Sequence, residues 1–380
     1  MGTVALLVLV LSAGCDWTAP RYGPGRTGSN DTEHVLTTAN AASLTTKWSV
    51  GTGLIVGAPV IGRGTLYATT RTSGGATRVE ARRASDALLR WSRDVGAGAS
   101  APTIVGNRVL VGVADGVVAL DAATGNIIWH HETWGFPGVP TVADGTAYVT
   151  WPDGSGPPID GVIPLVSKVL AIDVDTGEAI WSRTIQGAAS ETTVGDGRVF
   201  VGTFEPDLLN AFEAADGTPI YSEPLTGSSL IFARGLVFGT YSSAVAVSAT
   251  DASTGVLRYL TDGLGRGFID SAAVDDDAIY ACQFLISPRI EALVTAYATA
   301  DGEVRWQQSG GCNSIVHANG VLYLAAIEGV RLRDASSGAD LGLIPVDGRA
   351  DDLIVANGSV YVAVTDAAGS AGKIVRLSLP

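Results

Sequence analysis

A chain of 380 residues with 48 glycines, a single methionine and no charge-rich helical stretch excludes a helical bundle and points to many short strands joined by tight turns. Its formal net charge of −14, without any basic stripe, excludes nucleic acid as a partner and disfavours adsorption to anionic membrane surfaces, because both demand clustered Lys and Arg. A cationic partner or a metal ion is electrostatically tolerated, although acidity by itself serves solubility.

The chain begins with an unbroken apolar run over 4–11, followed by Ser12, Ala13, Gly14 and Cys15. Such a run is too short to span a bilayer, and small residues ahead of a cleavage point fit a signal peptide. Residues 1–15 resemble a bacterial lipoprotein signal. That resemblance implies lipidation of Cys15 and an extracytoplasmic protein tied to a bacterial membrane through the lipid alone; the alternative is an ordinary secretory signal with an incidental cysteine. Residues 16–39 are rich in Gly, Pro, Thr and Arg and lack apolar periodicity, so they read as a flexible tether ahead of a folded domain over 40–380.

From there the chain repeats itself. Asp121, Thr124, Gly125 and Trp129 return as Asp173, Thr176, Gly177 and Trp181, and again around Glu213, Gly217 and Tyr221 and around Asp251, Gly255 and Tyr259. Weaker copies end at Trp91 and Trp306, and a degraded one keeps Asp334 and Gly338 without an aromatic. Each copy describes a hairpin: the acid and hydroxyl bond turn amides, glycine supplies positive φ, and the next strand carries an aromatic to wedge between neighbouring sheets. A second phrase, strand–polar turn–strand, precedes each copy and occurs eight times, from Pro59 to the last at Leu353. The two phrases together predict a four-stranded antiparallel unit of about 40 residues, the size of a propeller blade. The last unit lacks its fourth strand, whereas residues 44–50, with Trp48, match an aromatic strand that has no unit before it. The predicted fold is therefore all-β: an eight-bladed β-propeller whose last blade is closed by the N-terminal strand, which removes an open sheet edge. The docking aromatics are Trp48, Trp91, Trp129, Trp181, Tyr221, Tyr259 and Trp306.

These phrases resemble the tryptophan-docking repeats of the pyrroloquinoline-quinone-type (quinoprotein alcohol dehydrogenase-like) propellers, over essentially 40–380, carried by Asp121, Gly125, Trp129 and their counterparts. The resemblance implies one of two classes. One is a cofactor-free scaffold similar to the propeller lipoprotein of the outer-membrane protein assembly machine, with a protein partner at the cell envelope and a monomeric state. The other is an alcohol or sugar dehydrogenase using pyrroloquinoline quinone and Ca²⁺. The chain has no adjacent cysteine pair and little length beyond strands and turns, which favours the scaffold without catalytic residues, cofactor or metal.

Residues opening the innermost strands are expected at the channel mouth: Glu191, Asp270, Asn313, Asp351 and Asp352. Oxygen ligands from several blades suit a hard cation, and in the dehydrogenase reading Glu191, Asp270 and Asn313 are the candidate ligands or base; a wet channel mouth without a ligand is the alternative. His130 and His131 are adjacent on a strand and point to opposite faces, so they should not chelate one ion. Cys282 and Cys312 fall at one level on blades six and seven, and export permits a disulfide; two buried thiols are the alternative. Residues 151–168 form the longest insertion, an exposed loop of blade three. No Ser-His-Asp motif and no phosphate-cradling glycine loop is present.

Overall fold

Short runs of alternating or continuous apolar residues, separated by Asn/Asp-Gly turns, fold here into eight antiparallel sheets arranged as a ring. The protein is described by a computed structural model, covering residues 15–153, 165–224, 229–241, 245–287 and 290–380. Blade two shows the pattern: Thr103–Val105 lines the channel, followed outward by Arg108–Val113, Gly116–Asp121 and Ile127–Glu132. In blades one and four the innermost strand is split into two short pieces, Leu54–Ile55 with Val60–Gly62 and Ala188–Ala189 with Thr193–Gly195. Second and third strands lie between neighbouring sheets, so both faces are apolar; Val321–Ala326 of blade seven is buried at every residue. Outermost strands face water on one side and alternate, as in Leu89–Ala97.

The eighth blade consists of Arg349–Ala356, Ser359–Thr365 and Gly372–Ser378, with Thr45–Thr52 as its outer strand. Thr52 pairs with Gly372 and Thr45 with Ser378, so the ring closes between the two ends of the chain as the repeat count requires.

Neighbouring blades are joined by the aromatics. Trp48 Nε1 donates to the Ala84 carbonyl at 3.1 Å, Trp91 to Ala122 at 3.0 Å, Trp129 to Val174 at 3.0 Å, Trp181 to Ala214 at 2.9 Å and Trp306 to Ala335 at 2.9 Å. Tyr221 and Tyr259 do the same with their hydroxyls, at 3.1 Å to Ala252 and 3.0 Å to Thr299. Each acceptor lies in the acidic turn of the following blade. Glycine is required in that turn: Gly177 has φ +77°, and a Cβ there would lie 2.7 Å from the Trp129 ring. His131 Nδ1 bonds the Gly177 carbonyl at 2.8 Å, whereas His130 turns to Asp115, so one histidine braces the blade joint and the pair does not converge. Blade seven has no aromatic in its outer strand, Asp340–Pro345; the 3-10 turn Ala41–Ser43 packs against that strand instead.

A disulfide joins Cys282 to Cys312 across blades six and seven, with Cα atoms 5.8 Å apart. Of the blade-three insertion, 154–164 lies outside the described residues.

The stretch expected to be a flexible tether is instead packed on the propeller. Residues 16–36 run around the channel at the end where first and second strands meet. Ile61, Ile104, Val194, Phe232, Val274 and His317 hold the same position on the innermost strands of blades one, two, four, five, six and seven. Their amides donate to the carbonyls of Trp17, Thr18, Pro24, Gly25, Thr27 and Gly28 at 2.7–3.0 Å. Blade eight joins through Asn30 Nδ2, which donates to the Val355 carbonyl at 2.7 Å. An innermost strand has one edge without a ladder partner, and this strap supplies it. Trp17 and Leu36, 1% and 0% exposed, anchor the strap in the core. Arg21, Tyr22 and Arg26 have φ of 62, 60 and 56°, a region rarely used by residues with a Cβ and held here by the surrounding bonds.

Replacement of Trp181 separates ring packing from the polar bond. Trp181→Ala is expected to cost about 3–5 kcal/mol through the cavity it leaves, and Trp181→Phe about 1 kcal/mol through the lost N–H donor, both measured by urea unfolding.

Candidate functional site

Strands running inward from the crossover end bring four of the five predicted acceptors to the channel, and two β-bulges decide their orientation. In blade six the register shifts between Ile269 and Ser271, leaving Asp270 as the extra residue aimed at the channel. In blade eight it shifts between Ala350 and Asp352, and Asp351 is the extra residue. Asp351 turns away from the channel: its carboxylate accepts from Arg349 Nε at 2.6 Å and from the Thr365 hydroxyl. The expectation that Asp351 belongs to the channel mouth is thus corrected by the bulge, which sends Asp352 inward in its place.

Asp270, Asn313 and Asp352 line one cavity of about 150 Å³, together with Ser271, Ser314 and Arg21. Asn313 Nδ2 donates to the Ala350 carbonyl at 2.7 Å, fixing its amide across the gap between blades seven and eight. Burial pushes the carboxyl groups of Asp352 and Asp270 above the usual carboxylate range; for Asp352 this outweighs the bonds from Ser314 and the Leu353 amide and the attraction of Arg21.

The cations here come from the strap, and sequence reading missed both. Arg21 enters the channel and donates to the Ser229 hydroxyl at 3.1 Å and the Ala272 carbonyl at 2.7 Å. Burial and the neighbouring Arg26 hold its guanidinium down at about 10, against the pull of Glu191 and Asp352, so it stays charged at neutral pH. Arg26, with a side chain 8% exposed, forms an ion pair with Glu191. Glu191 therefore faces Arg26 rather than joining Asp270 and Asn313. A hint was present in the sequence: Trp17, Tyr22 and Leu36 are costly in a solvated tether.

The donor set thus consists of dispersed carboxylates, one already paired, around a buried guanidinium. Among the described residues no group of three or more His, Cys, Asp or Glu side chains gathers to hold a metal ion. The cavity, at about 150 Å³, is half the size of the smallest usual small-molecule sites, about 300 Å³. A fused three-ring quinone does not fit it while the strap is in place.

The opposite end of the ring, where crossovers and second-to-third-strand loops gather, carries exposed apolar side chains. Trp134 is fully exposed (100%), and Ile290 and Ile327 are 77% and 75% exposed. Phe136, Phe204 and Ile286 add to this end. No helix among the described residues is long and apolar enough to cross a membrane.

A sequence profile of the family described as outer membrane protein assembly factor BamB matches residues 31–188 and 166–368. No curated protein matches the chain. Among solved structures the chain is similar to quinohemoprotein alcohol dehydrogenase from Comamonas testosteroni, at 13% identity over 96% of this chain and 80% of that one, with a TM-score of 0.77. A europium-containing methanol dehydrogenase matches at 12% identity, covering 96% and 98% of the two chains, with a TM-score of 0.74. BamB from Moraxella catarrhalis matches at 15% identity, covering 88% and 97%, with a TM-score of 0.63. At these identities the structural likeness establishes the propeller fold and nothing finer.

Two measurements probe the channel. Asp352 has a raised carboxyl pKa in the fold, so its ionisation destabilises the protein: that contribution to stability is whole below about pH 4 and is lost as pH rises through the raised value. Asp352→Asn is therefore expected to raise the unfolding midpoint at pH 7 and to match the parent below about pH 4. Hydrogen exchange should show slow amides at Ile61, Ile104, Val194, Phe232 and Val274, all quickened in the Arg21→Ala/Arg26→Ala double variant as the strap loosens.

Proposed function

This chain belongs to the family of the outer membrane protein assembly factor BamB, and from that premise we propose that it is an extracytoplasmic, non-catalytic propeller anchored by a lipid on Cys15, which binds a protein partner at the cell envelope. The observation that carries the reading is the strap. Arg26 pairs with Glu191, Arg21 places a second buried positive charge near Asp352, and the cavity left over is about 150 Å³, small for a quinone. A channel filled by the chain's own strap favours a scaffold over a dehydrogenase of alcohols or sugars.

The strap also orients the molecule. Asp16 accepts from the Arg63 amide at 2.9 Å and from Asn357 Nδ2 at 3.1 Å, which fixes the start of the described chain at the turn end of blades one and eight. Cys15 donates its thiol to the Thr32 carbonyl at 2.7 Å there, and a thioether-linked lipid would replace that bond and leave the surface at the same place. The turn end then faces the membrane, and the end bearing Trp134, Phe204 and Ile290 faces outward, where an apolar contact surface is useful.

Expression with the native leader in a lipoprotein-processing host, with an alkyne fatty acid supplied, is expected to label the parent and leave Cys15→Ser unlabelled and soluble. A photo-cross-linker at position 134 is expected to trap an envelope protein. Alcohol- or sugar-dependent dye reduction after reconstitution with pyrroloquinoline quinone and Ca²⁺ would overturn the scaffold reading in favour of the dehydrogenase.

A further inference from the structure

The repeat provides its own control for a cation without an anion. Arg108 and Arg198 open the second strands of blades two and four in the same register, opposite Asp121 and Glu213 of their own blades. Each lies beside the acidic turn of the following blade, where Trp129 and Tyr221 dock on the equivalent carbonyls of Val174 and Ala252. Arg108 finds a carboxylate there: its Nη1 is 2.9 Å from Asp175 Oδ1. In the turn after blade four, the residue at the place of Asp175 is Ser253, whose hydroxyl is turned back to Asp251 at 2.6 Å. The Arg198 guanidinium accordingly makes no hydrogen bond or ion pair with any described residue, whereas that of Arg108 leaves only its Nε without a partner.

The gap beside it is an open groove of about 590 Å³ between blades four and five, lined by Arg198, Arg234, Arg258, Asp196, Asp251 and Ser253. Asp251 is spent: it caps its own turn and takes Arg258 at 2.5 Å, which together hold its carboxyl well below the usual range. Arg234 donates to the Asp276 carbonyl and lies 3.5 Å from the same residue's carboxylate, which is 89% exposed. Three guanidiniums share the groove with the carboxylates of Asp196 and Asp251, and of the three only that of Arg198 has no ion-pair partner among the described residues. Guanidinium forks match tetrahedral or planar oxyanions through paired N–H bonds, which an ammonium cannot do.

We propose that the groove between blades four and five is a binding site for a phosphate group, which takes the position that Asp175 holds beside Arg108. The groove opens on the turn end of the ring, so the phosphate can be free in solution or carried on a phospholipid headgroup. The assignment stands on the Arg198–Ser253 mismatch and does not depend on lipidation of Cys15.

The test uses the full chain carrying Cys15→Ser, at low salt, with inorganic phosphate titrated calorimetrically and with vesicles of phosphatidylglycerol or phosphatidylcholine in a flotation assay. Arg198→Ala is expected to weaken binding at least tenfold. Ser253→Asp rebuilds the internal pair: it is expected to raise the melting temperature and to weaken binding by a similar factor. Arg108→Ala, whose partner is internal, should leave binding unchanged. Phosphate binding with this dependence assigns the site to the free ion, and vesicle binding alone with this dependence assigns it to the headgroup. Absence of both, or binding indifferent to Arg198→Ala and Ser253→Asp, overturns the proposal. Loss of fatty-acid labelling at Cys15 would affect only the anchoring proposal.

Discussion

One aromatic N–H or O–H from every blade but the seventh, donated to a main-chain carbonyl in the acidic turn of the next blade, sets the spacing on which the ring depends. The bond is easiest where the aromatic lies against a turn without a side chain, and Gly125, Gly177, Gly217, Gly255, Gly302 and Gly338 each sit under a ring. The turn in blade one departs from this with Ala87 at φ 61°, yet Trp48 still reaches Ala84. That joint is also where the chain closes on itself, so the weakest copy of the motif is backed by a complete strand pairing from Thr45 to Thr52. Where the aromatic is missing altogether, after blade seven, the segment leading into the closing strand fills the seam.

A propeller built in this way leaves its innermost strand edges facing an axial channel. Main-chain amides there need partners, and so do the carboxylates that the strand starts bring together. The strap answers both needs with one segment: its carbonyls take the amides of six blades, Arg26 pairs with Glu191, and Arg21 sets a positive charge near Asp352. Here the strand edges and Glu191 are taken up from within, which is the physical support for the proposed scaffold reading.

Repeats also expose their exceptions. Because Arg108 and Arg198 occupy equivalent backbone positions, the change from Asp175 to Ser253 can be read as the loss of one charge between the two joints that carry this arginine. The same logic explains why His131 is structural: it stands two residues past a docking aromatic, where Arg93 and Arg183 likewise bond the glycine carbonyl of the next turn.

Blade number, strand order and ring closure were legible in the sequence, because hairpin chemistry and two-residue periodicity are local signals and the repeat multiplies them eightfold. The pairing of Cys282 with Cys312 was legible as an option for the same reason: equal depth in adjacent blades follows from position in the repeat. The channel was legible only as a set of names. Whether Asp270, Asp351 and Asp352 point inward rests on single-residue bulges, and a shift of one residue reverses a side chain without altering any pattern. The strap was invisible for a deeper reason. Its partners are backbone amides on six blades, a backbone carbonyl on a seventh and a carboxylate far away in sequence, so its order belongs to the assembled ring and has no periodicity of its own; tertiary structure alone turned residues that look like a tether into the plug of the channel.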